Sequence, residues 1–308
     1  MIKVLAIVGP TAVGKTELSI NIAKAFNGEV ISGDSMQVYR GLDIGTAKIS
    51  DKEKQGVPHF LINIRDIGQR FSVADFVVEA KKKIKEISQR NHLPLIVGGT
   101  GFYLQALQDG LNLGGDKYDS TIRNNLLAEL KNKGPLSLHQ RLASLDLQAA
   151  NNIPANNSRR VIRALEVFLK TGHKFSEQKQ LNQNEPYDFF IIGLNTSRDI
   201  LYSRINKRVD IMMADGLLKE AKLVYQELSP DKQAAKGIGY REFFPYFDGK
   251  IDLNKAVDNV KKDSRHYAKR QLTWFRNKTK PVWYDVILHH EEKKQILADI
   301  SNWLCDKK

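Results

Sequence analysis

Residues 9–16 carry the pattern G-x-x-x-x-G-K-T, the spacing that phosphate-binding loops use. The eight residues are Gly9, Pro10, Thr11, Ala12, Val13, Gly14, Lys15 and Thr16. In such a loop the backbone N–H groups converge on phosphate oxygens, and the helix that follows adds the positive end of its dipole. Lys15 then contributes a mobile positive charge, and the Thr16 hydroxyl is a ligand for Mg2+. The pattern therefore predicts a site for a di- or triphosphate.

The elements around this motif are the ones that the chemistry requires. The apolar run Val4–Val8 precedes the loop as a predicted strand, and residues 17–26 follow it as a predicted helix. An accidental glycine-rich turn is the alternative, but the order strand, loop, helix argues against it. We therefore interpret residues 9–16 as a functional loop.

Two further predicted strands end in segments that could bind a ligand. The strand at 29–32 leads to Asp34, and the strand at 93–97 leads to the glycine-rich residues 98–101. Because ligands of open α/β sheets bind at the carboxyl ends of strands, we expect both segments to face the phosphate loop across one cleft. Asp34 is then a general base or a Mg2+ ligand, although an aspartate after a strand also commonly caps a helix, here one beginning at residue 35.

The glycine-rich residues 98–101 have two interpretations as well. They form a tight turn, or they let a planar ligand approach the backbone while the Thr100 hydroxyl stays free to hydrogen-bond. The same strand lacks the acidic residue that ATPases and GTPases use to hold Mg2+. This absence favours a diphosphate that is not part of a nucleotide.

The charge of the chain points to a polyanionic partner. The 308 residues carry 48 lysines and arginines against 35 acidic residues, a formal net charge of +13. A nucleic acid would bind such a charge through long-range attraction and counterion release. The alternative is that the charge serves only to keep the protein soluble. Basic residues are concentrated between 261 and 280, and Arg204 and Arg208 are spaced to share a helix face.

The remaining composition is that of a cytoplasmic enzyme. The single cysteine, Cys305, excludes an internal disulfide, and the histidines show no zinc-type spacing. No apolar run is long enough to span a membrane, and the first strand begins without a secretory leader before it. We expect a monomer without membrane contact.

The order of the predicted elements indicates an α/β fold with a helical insertion. Strands at 3–8, 29–32, 59–64, 93–97, 188–194 and 282–286 alternate with amphipathic helices, which favours a parallel sheet covered on both faces. Residues 119–172 have helical periodicity only. We predict an α/β core at 1–113 and 187–308 and a helical insertion domain at 114–186.

Six segments of the chain resemble motifs of the bacterial tRNA dimethylallyltransferases. These segments are Gly9–Thr16, Ile31–Lys48, Gly98–Leu104, Ser158–Val167, Ile238–Glu242 and Tyr267–Phe275. The resemblance covers nearly the whole chain. It departs at Val13, where serine is usual, and at Gly33, where the family has a bulkier residue, but neither change removes a chemical group.

The resemblance implies a fold and a reaction. The fold is a P-loop NTPase-like parallel sheet with an inserted all-helical domain that contacts tRNA. The enzyme transfers a dimethylallyl group from dimethylallyl diphosphate to the N6 amine of the adenosine just 3′ of the anticodon. Asp34 is the implied base, while Lys15, Thr16 with Mg2+, and Arg208 stabilise the leaving diphosphate.

The resemblance also implies which residues contact the anticodon stem-loop. They are Asp34, Ser35, Met36, Gln37, Thr100, Arg123, Ser158, Arg159, Arg160, Val161 and Ile162. Two other functions stay open on the residues alone. A small-molecule or nucleoside kinase explains the phosphate loop but not the positive charge, and a non-catalytic RNA-binding protein would keep the loop as an element of the fold.

Overall fold

The structure, a computed structural model, describes residues 1–110, 120–180 and 187–306. It divides into two compact units, one made of residues 1–107 and 186–308 and the other of residues 108–185. The predicted boundary near residue 114 lies outside the described residues, and so does the predicted end of the insertion at residue 186.

A parallel sheet of six strands forms the centre of the larger unit. The strands are β1 (Ile2–Val8), β2 (Gly28–Ser32), β3 (His59–Phe60), β4 (Leu93–Gly98), β5 (Tyr187–Leu194) and β6 (Val282–Tyr284). Their order across the sheet is β3-β2-β4-β1-β5-β6, and every neighbouring pair is parallel. The predicted α/β fold with a parallel sheet is confirmed.

Two strands are shorter than their sequence predicts. The strand predicted at 59–64 ends at Phe60, because Leu61 and Asn63 adopt left-handed backbone angles, with φ of 61° and 56°. Extended pairing cannot continue through such residues. The last strand ends at Tyr284 rather than at residue 286.

Helices flank the sheet in the larger unit and make up the smaller one. The larger unit contains α1 (Lys15–Ala25), α2 (Asp51–Lys54), α3 (Val73–Gln89) and α4 (Gly101–Gln108), the last of which ends one residue past its boundary. The smaller unit contains α5 (Ser120–Leu145), α6 (Leu147–Asn152) and α7 (Ser158–Thr171). The larger unit continues with α8 (Arg198–Ala214), α9 (Leu217–Glu227), α10 (Phe244–Phe247), α11 (Leu253–Lys278) and α12 (Glu292–Cys305). Short 3-10 helices lie at 175–180, 234–236 and 241–243.

The order of the strands brings three loops to one edge of the sheet. β1 lies between β4 and β5, and β4 lies between β1 and β2. Residues 4–8 of β1 are at most 2% exposed, as expected for a strand covered on both faces. The segments that follow β1, β2 and β4 therefore meet at the carboxyl edge, as the sequence predicts.

The smaller unit has its own hydrophobic core. Helix α5 breaks at Gly134, whose φ of 75° and ψ of 173° are not helical, just before Pro135. Leu126 and Leu142 from α5 pack in one cluster with Leu165 from α7. In the described ranges of the chain, no helix combines the length and the apolar character that a membrane span needs.

Candidate active site

The phosphate loop has the backbone geometry that its glycines predict. A Cβ at Gly9, where φ is 147°, would lie 2.6 Å from the carbonyl oxygen of Leu194 on β5, so only glycine fits there. Gly14 ends the loop in a left-handed conformation and begins α1 without a side-chain cap. The first backbone N–H groups of α1 have no intrahelical acceptors. They are donors for an anion, at the positive end of the helix dipole.

The Lys15 side chain bends back over the loop. Its Nζ donates hydrogen bonds to the carbonyl oxygens of Gly9, at 3.0 Å, and Pro10, at 2.7 Å. Burial and, to a smaller extent, the positive charge of Arg208 lower the pKa of Lys15 to about 7, while Asp34 acts in the opposite direction. The ammonium group therefore lies where a bound anion would stabilise its charge.

Two arginines of α8 reach the same loop. Arg208 donates to the Thr11 hydroxyl at 3.2 Å, and Arg204 donates through Nε to the Ala12 carbonyl at 2.9 Å. Burial lowers the pKa of Arg208, whereas the negative charge of Asp34 raises it. The i,i+4 spacing that the sequence predicts for one helix face thus brings both cations to the loop.

Asp34 lies on this edge as a half-buried carboxylate. Its Oδ1 accepts hydrogen bonds from the backbone N–H groups of Met36, at 2.8 Å, and Gln37, at 3.3 Å. Residues 35–38 form bends and turns, so the alternative that Asp34 caps a helix is wrong. Within the described part of the chain, Oδ2 has no hydrogen-bond partner and is available to a substrate proton.

The ends of β2 and β4 join Asp34 to the glycine-rich turn. Ser35 donates its backbone N–H to the Thr100 hydroxyl at 3.1 Å, and Thr100 donates its own N–H to the Gly33 carbonyl at 3.3 Å. A Cβ at Gly98 would lie 2.3 Å from that same carbonyl oxygen. The glycine at position 98 therefore permits close backbone contact, and the Thr100 hydroxyl is fixed within the protein rather than free.

The comparisons with known proteins agree with this geometry. The family model described as "IPP transferase" matches residues 37–278, which is most of the chain. The chain belongs to the IPP transferase family. It is 56% identical over 307 residues to the tRNA dimethylallyltransferase of Limosilactobacillus reuteri, with 99% of each protein covered. The family resemblance predicted from the motifs is confirmed.

Solved structures of the family have the same fold. The full-length tRNA isopentenylpyrophosphate transferase of Bacillus halodurans superimposes with a TM-score of 0.74 at 48% identity, covering 98% of this chain and 96% of that one. A eukaryotic dimethylallyltransferase described as acting on tRNA gives 0.83 at 32% identity, with 98% of this chain and 79% of that chain covered. These relatives do not favour the kinase alternative.

Gln271 of this IPP transferase is a site residue that the sequence reasoning missed. Its Oε1 accepts a hydrogen bond from the Thr11 N–H, and its Nε2 donates one to the Gly99 carbonyl, each at 3.0 Å. The residue is 5% exposed and lies one turn after Tyr267 on α11. A polar residue on an otherwise aromatic buried stripe is the signal that could have identified it.

Tyr267 and Trp274 lie on α11 with the helical spacing that is typical of core packing. A Cβ at Gly101 would lie 2.2 Å from Cδ1 of Trp274, so the indole covers the start of α4. Burial and the charge of Asp34 raise the pKa of Tyr267 to about 12, while a hydrogen bond with Thr100 opposes that shift. This face of α11 therefore packs against the candidate site.

Five of the predicted tRNA contacts begin helix α7 in the smaller unit. Arg159 and Arg160 are exposed there, and Ser158 is partly exposed. Val161 and Ile162 are 0% and 2% exposed and belong to the core cluster of this unit. Contact with RNA stays a prediction for this turn, and its exposed cations are the groups placed to make it.

Arg123, another predicted tRNA contact, has an acidic partner inside the smaller unit. Its guanidinium donates to both carboxylate oxygens of Glu166, at 3.0 and 3.1 Å. Arg163 lies near the same carboxylate, with a closest approach of 3.9 Å. Much of the charge of Arg123 is therefore already balanced within the protein.

A metal ion would find few protein ligands at the larger unit's candidate site. Among the residues that the structure describes, no group of three or more histidine, cysteine or acidic side chains could hold a metal. Thr16, the first residue after Lys15, is exposed on the first turn of α1. Its hydroxyl would be one oxygen ligand for a Mg2+ ion, which usually keeps several waters and so needs few protein ligands.

Proposed function

We propose that this chain transfers a dimethylallyl group from dimethylallyl diphosphate to the N6 amine of the adenosine immediately 3′ of a tRNA anticodon. The observation that carries the proposal is one cluster of interacting charges. Lys15 and Arg208 at the phosphate loop both interact electrostatically with Asp34, which follows β2 at the same edge of the sheet. A cradle for a leaving diphosphate and a carboxylate base are therefore close together.

The donor's diphosphate fits the loop. The backbone N–H groups at the start of α1 and the cations of Lys15 and Arg208 stabilise negative charge there. As the C1–O bond of the donor breaks, the bonding electron pair leaves on the diphosphate oxygen, and these groups balance the charge that develops. The Lys15 ammonium exchanges its two loop carbonyls for phosphate oxygens.

The Thr16 hydroxyl would hold Mg2+ on the diphosphate. When bound, that ion supplies further positive charge to the leaving group. Because Mg2+ usually keeps several waters and binds phosphate oxygens, the site would need no second acidic ligand. This requirement matches the absence of an acid at the end of β4, where Gly98 and Gly99 follow the apolar strand.

Asp34 receives the proton on the acceptor side. The lone pair of N6 is delocalised into the adenine ring, so the amine becomes nucleophilic only as it loses a proton. As the N6–C1 bond forms, that proton passes to Oδ2 of Asp34, the carboxylate oxygen that the protein leaves without a partner among the described residues. The adenine must leave the anticodon-loop stack to reach it, at a cost of about a few kcal/mol.

The charge of the chain supports tRNA as the partner. Helix α11 and the residues after it present exposed cations along the larger unit. These exposed residues are Lys262, Lys269, Arg270, Arg276, Lys278 and Lys280. Exposed cations of this kind are suited to the phosphates of an RNA stem, and Arg159 and Arg160 of the smaller unit are exposed as well.

The proposal extends to the state and location of the enzyme. One chain carries both the diphosphate cradle and Asp34, so a monomer suffices for the reaction. The substrate is tRNA, so we place the enzyme in the cytoplasm. A phosphate-transferring kinase is not favoured by relatives that are named tRNA dimethylallyltransferase over 99% of this chain.

The test is a choice of donor. Purified protein is incubated with unmodified tRNA, Mg2+ and either dimethylallyl diphosphate or ATP, and the nucleosides are then analysed by mass spectrometry. We expect an adenosine heavier by one dimethylallyl group in the first reaction and no change in the second. Phosphorylated product with ATP, or unchanged adenosine with the prenyl donor, would contradict the proposal.

A further inference from the structure

The carboxylate of Glu220, on the first turn of α9, accepts four hydrogen bonds. Its Oε2 accepts the backbone N–H groups of Asp43, at 2.8 Å, and Ile44, at 2.9 Å. Its Oε1 accepts the N–H of Gly45 at 2.9 Å and the hydroxyl of Tyr240 at 2.8 Å. An ionised carboxylate offers about four lone-pair positions, so this one is fully used within the protein.

The ring of Tyr240 holds the same backbone from another side. Tyr240 is 0% exposed, and a Cβ at Gly45 would lie 2.7 Å from both its Cζ and its hydroxyl oxygen. Three residues earlier, a Cβ at Gly237 would lie 2.6 Å from Cε of Met36. Residues 237–240 therefore contact residues 33–48, the acceptor loop, near both of its ends.

The acceptor loop transmits this contact to Asp34 through Gln37. The amide of Gln37 donates to the carbonyl oxygens of Thr46, at 3.3 Å, and Ala47, at 3.4 Å, and accepts from the Ser32 hydroxyl at 3.0 Å. The Gln37 backbone N–H in turn donates to Oδ1 of Asp34. A shift of residues 43–47 would therefore change the support of the carboxylate.

Residues 238–242 are built to keep Tyr240 in place. Gly239 has a φ of 95°, and its N–H donates to the buried Glu242 carboxylate at 2.8 Å. Arg241 donates to the other oxygen of Glu242 at 2.8 Å and to Asp263 at 2.9 Å. Among the described residues, none of these groups has a hydrogen bond to the phosphate loop. Residues 238–242 therefore take no direct part in the proposed catalytic steps.

We propose that Glu220 and Tyr240 are positioning residues that hold the acceptor loop, and with it Asp34, in the arrangement needed to take up the N6 proton. The proposal rests on the proposed function, because that function makes Asp34 the base. Four donors, three of them backbone amides of consecutive residues, converge on one carboxylate. The arrangement fixes backbone rather than a side chain, as pre-organisation of a reacting group requires.

The test compares two charge-neutralising substitutions on one helix. Glu220→Gln replaces one carboxylate oxygen with an NH2 group. Because the groups facing it are themselves donors, the hydrogen bonds that this oxygen accepted are lost. Glu227→Gln removes the same charge at the exposed end of α9 and serves as the matched control. Glu220 and Tyr240, with the residues 43–45 that they hold, form a clamp, from which Tyr240→Phe removes a single hydrogen bond while it keeps the ring.

Amide hydrogen exchange and steady-state kinetics give separate readouts. In Glu220→Gln we expect faster exchange at residues 43–45 and a fall of about tenfold or more in kcat/KM for tRNA, with a smaller fall of about threefold in Tyr240→Phe. The affinity for inorganic pyrophosphate should stay that of the wild type, because the phosphate loop does not contact the clamp. A general loss of folding would instead lower both the pyrophosphate affinity and kcat/KM for tRNA.

The outcomes separate this inference from the function on which it rests. The positioning role is overturned if Glu220→Gln shows the same amide exchange and the same kinetics as the control Glu227→Gln, while the wild type measured beside them is active. Equal loss of pyrophosphate affinity and of turnover in Glu220→Gln also overturns it, in favour of a general structural role. A wild-type protein that forms no prenylated adenosine contradicts the proposed function instead, while the exchange at residues 43–45 still reports on the clamp.

Discussion

Gln271 offers the sharpest test of how the fold builds the proposed diphosphate site. Its side-chain amide joins the phosphate loop to the glycine-rich turn, through Thr11 on one side and Gly99 on the other. The Gln271→Glu variant keeps the size and the acceptor facing Thr11, but it replaces the donor facing the Gly99 carbonyl with a second oxygen. One buried hydrogen bond becomes a repulsive contact.

The magnitude follows from the burial of these groups. The side chain is 5% exposed, so water cannot replace the lost donor at the Gly99 carbonyl. A buried acceptor left without a partner costs about 1–3 kcal/mol, and more when a charge is involved. We therefore expect Gln271→Glu to lower the free energy of unfolding by about 2–3 kcal/mol near neutral pH.

Lower pH should rescue this variant in part. Burial and the opposing carbonyl disfavour the charged form of the carboxyl group that Q271E introduces, and once protonated that group can again donate to Gly99. The folded-state pKa of the new carboxyl group is thus raised, so the loss of stability appears as pH rises through that value and diminishes below it. Urea denaturation at several pH values measures this trend.

The control is a glutamine on the surface. Gln226→Glu on α9 introduces the same charge at an exposed position. Titration calorimetry with pyrophosphate should give an affinity about tenfold weaker for Gln271→Glu than for this control, because the loop has shifted and gained a nearby negative charge. The reasoning is refuted if the two variants match in stability and in pyrophosphate affinity.

Three other predictions concern charged residues. Asp34→Asn should lower turnover about 100-fold or more without weakening pyrophosphate binding, and equal loss of both would remove its role as base. Lys15, with its pKa lowered to about 7, is largely neutral at about pH 8, and a bound diphosphate raises that pKa. Calorimetry in two buffers should therefore detect more proton uptake for the wild type than for Lys15→Met, and equal uptake would exclude this titration. Arg159→Glu should weaken tRNA binding and flatten its salt dependence by about one charge, as measured by filter binding, whereas an unchanged slope would mean that Arg159 is only solvated.

The sequence predicted the elements whose signals are local. Residues 9–16 have the spacing of a phosphate loop between a strand and a helix, and Ser72 caps α3, which begins at Val73, in a capping box with Asp75. The meeting of the segments after β1, β2 and β4 at one edge followed from the prediction of a parallel sheet. Asp34 therefore lies at the edge of the sheet that the sequence predicts for it.

Long-range contacts are the part that the sequence did not reveal. Gln271 is 260 residues away from Thr11, and Glu220 is 175 residues away from Gly45. No periodicity links such pairs, because their contact depends on how helices pack on the finished sheet. The early end of β3 was also not predictable, because leucine is not a residue type that favours the left-handed backbone conformation that Leu61 adopts.

The central claim is that the amine displaces diphosphate from the isoprenoid at this one site. The most direct measurement follows both products in a single reaction of the purified protein with an unmodified tRNA transcript, dimethylallyl diphosphate and Mg2+. We predict that released diphosphate and dimethylallyl-adenosine appear in equal amounts, and that the modified base maps next to the anticodon. Diphosphate released without a matching prenylated adenosine would contradict the account.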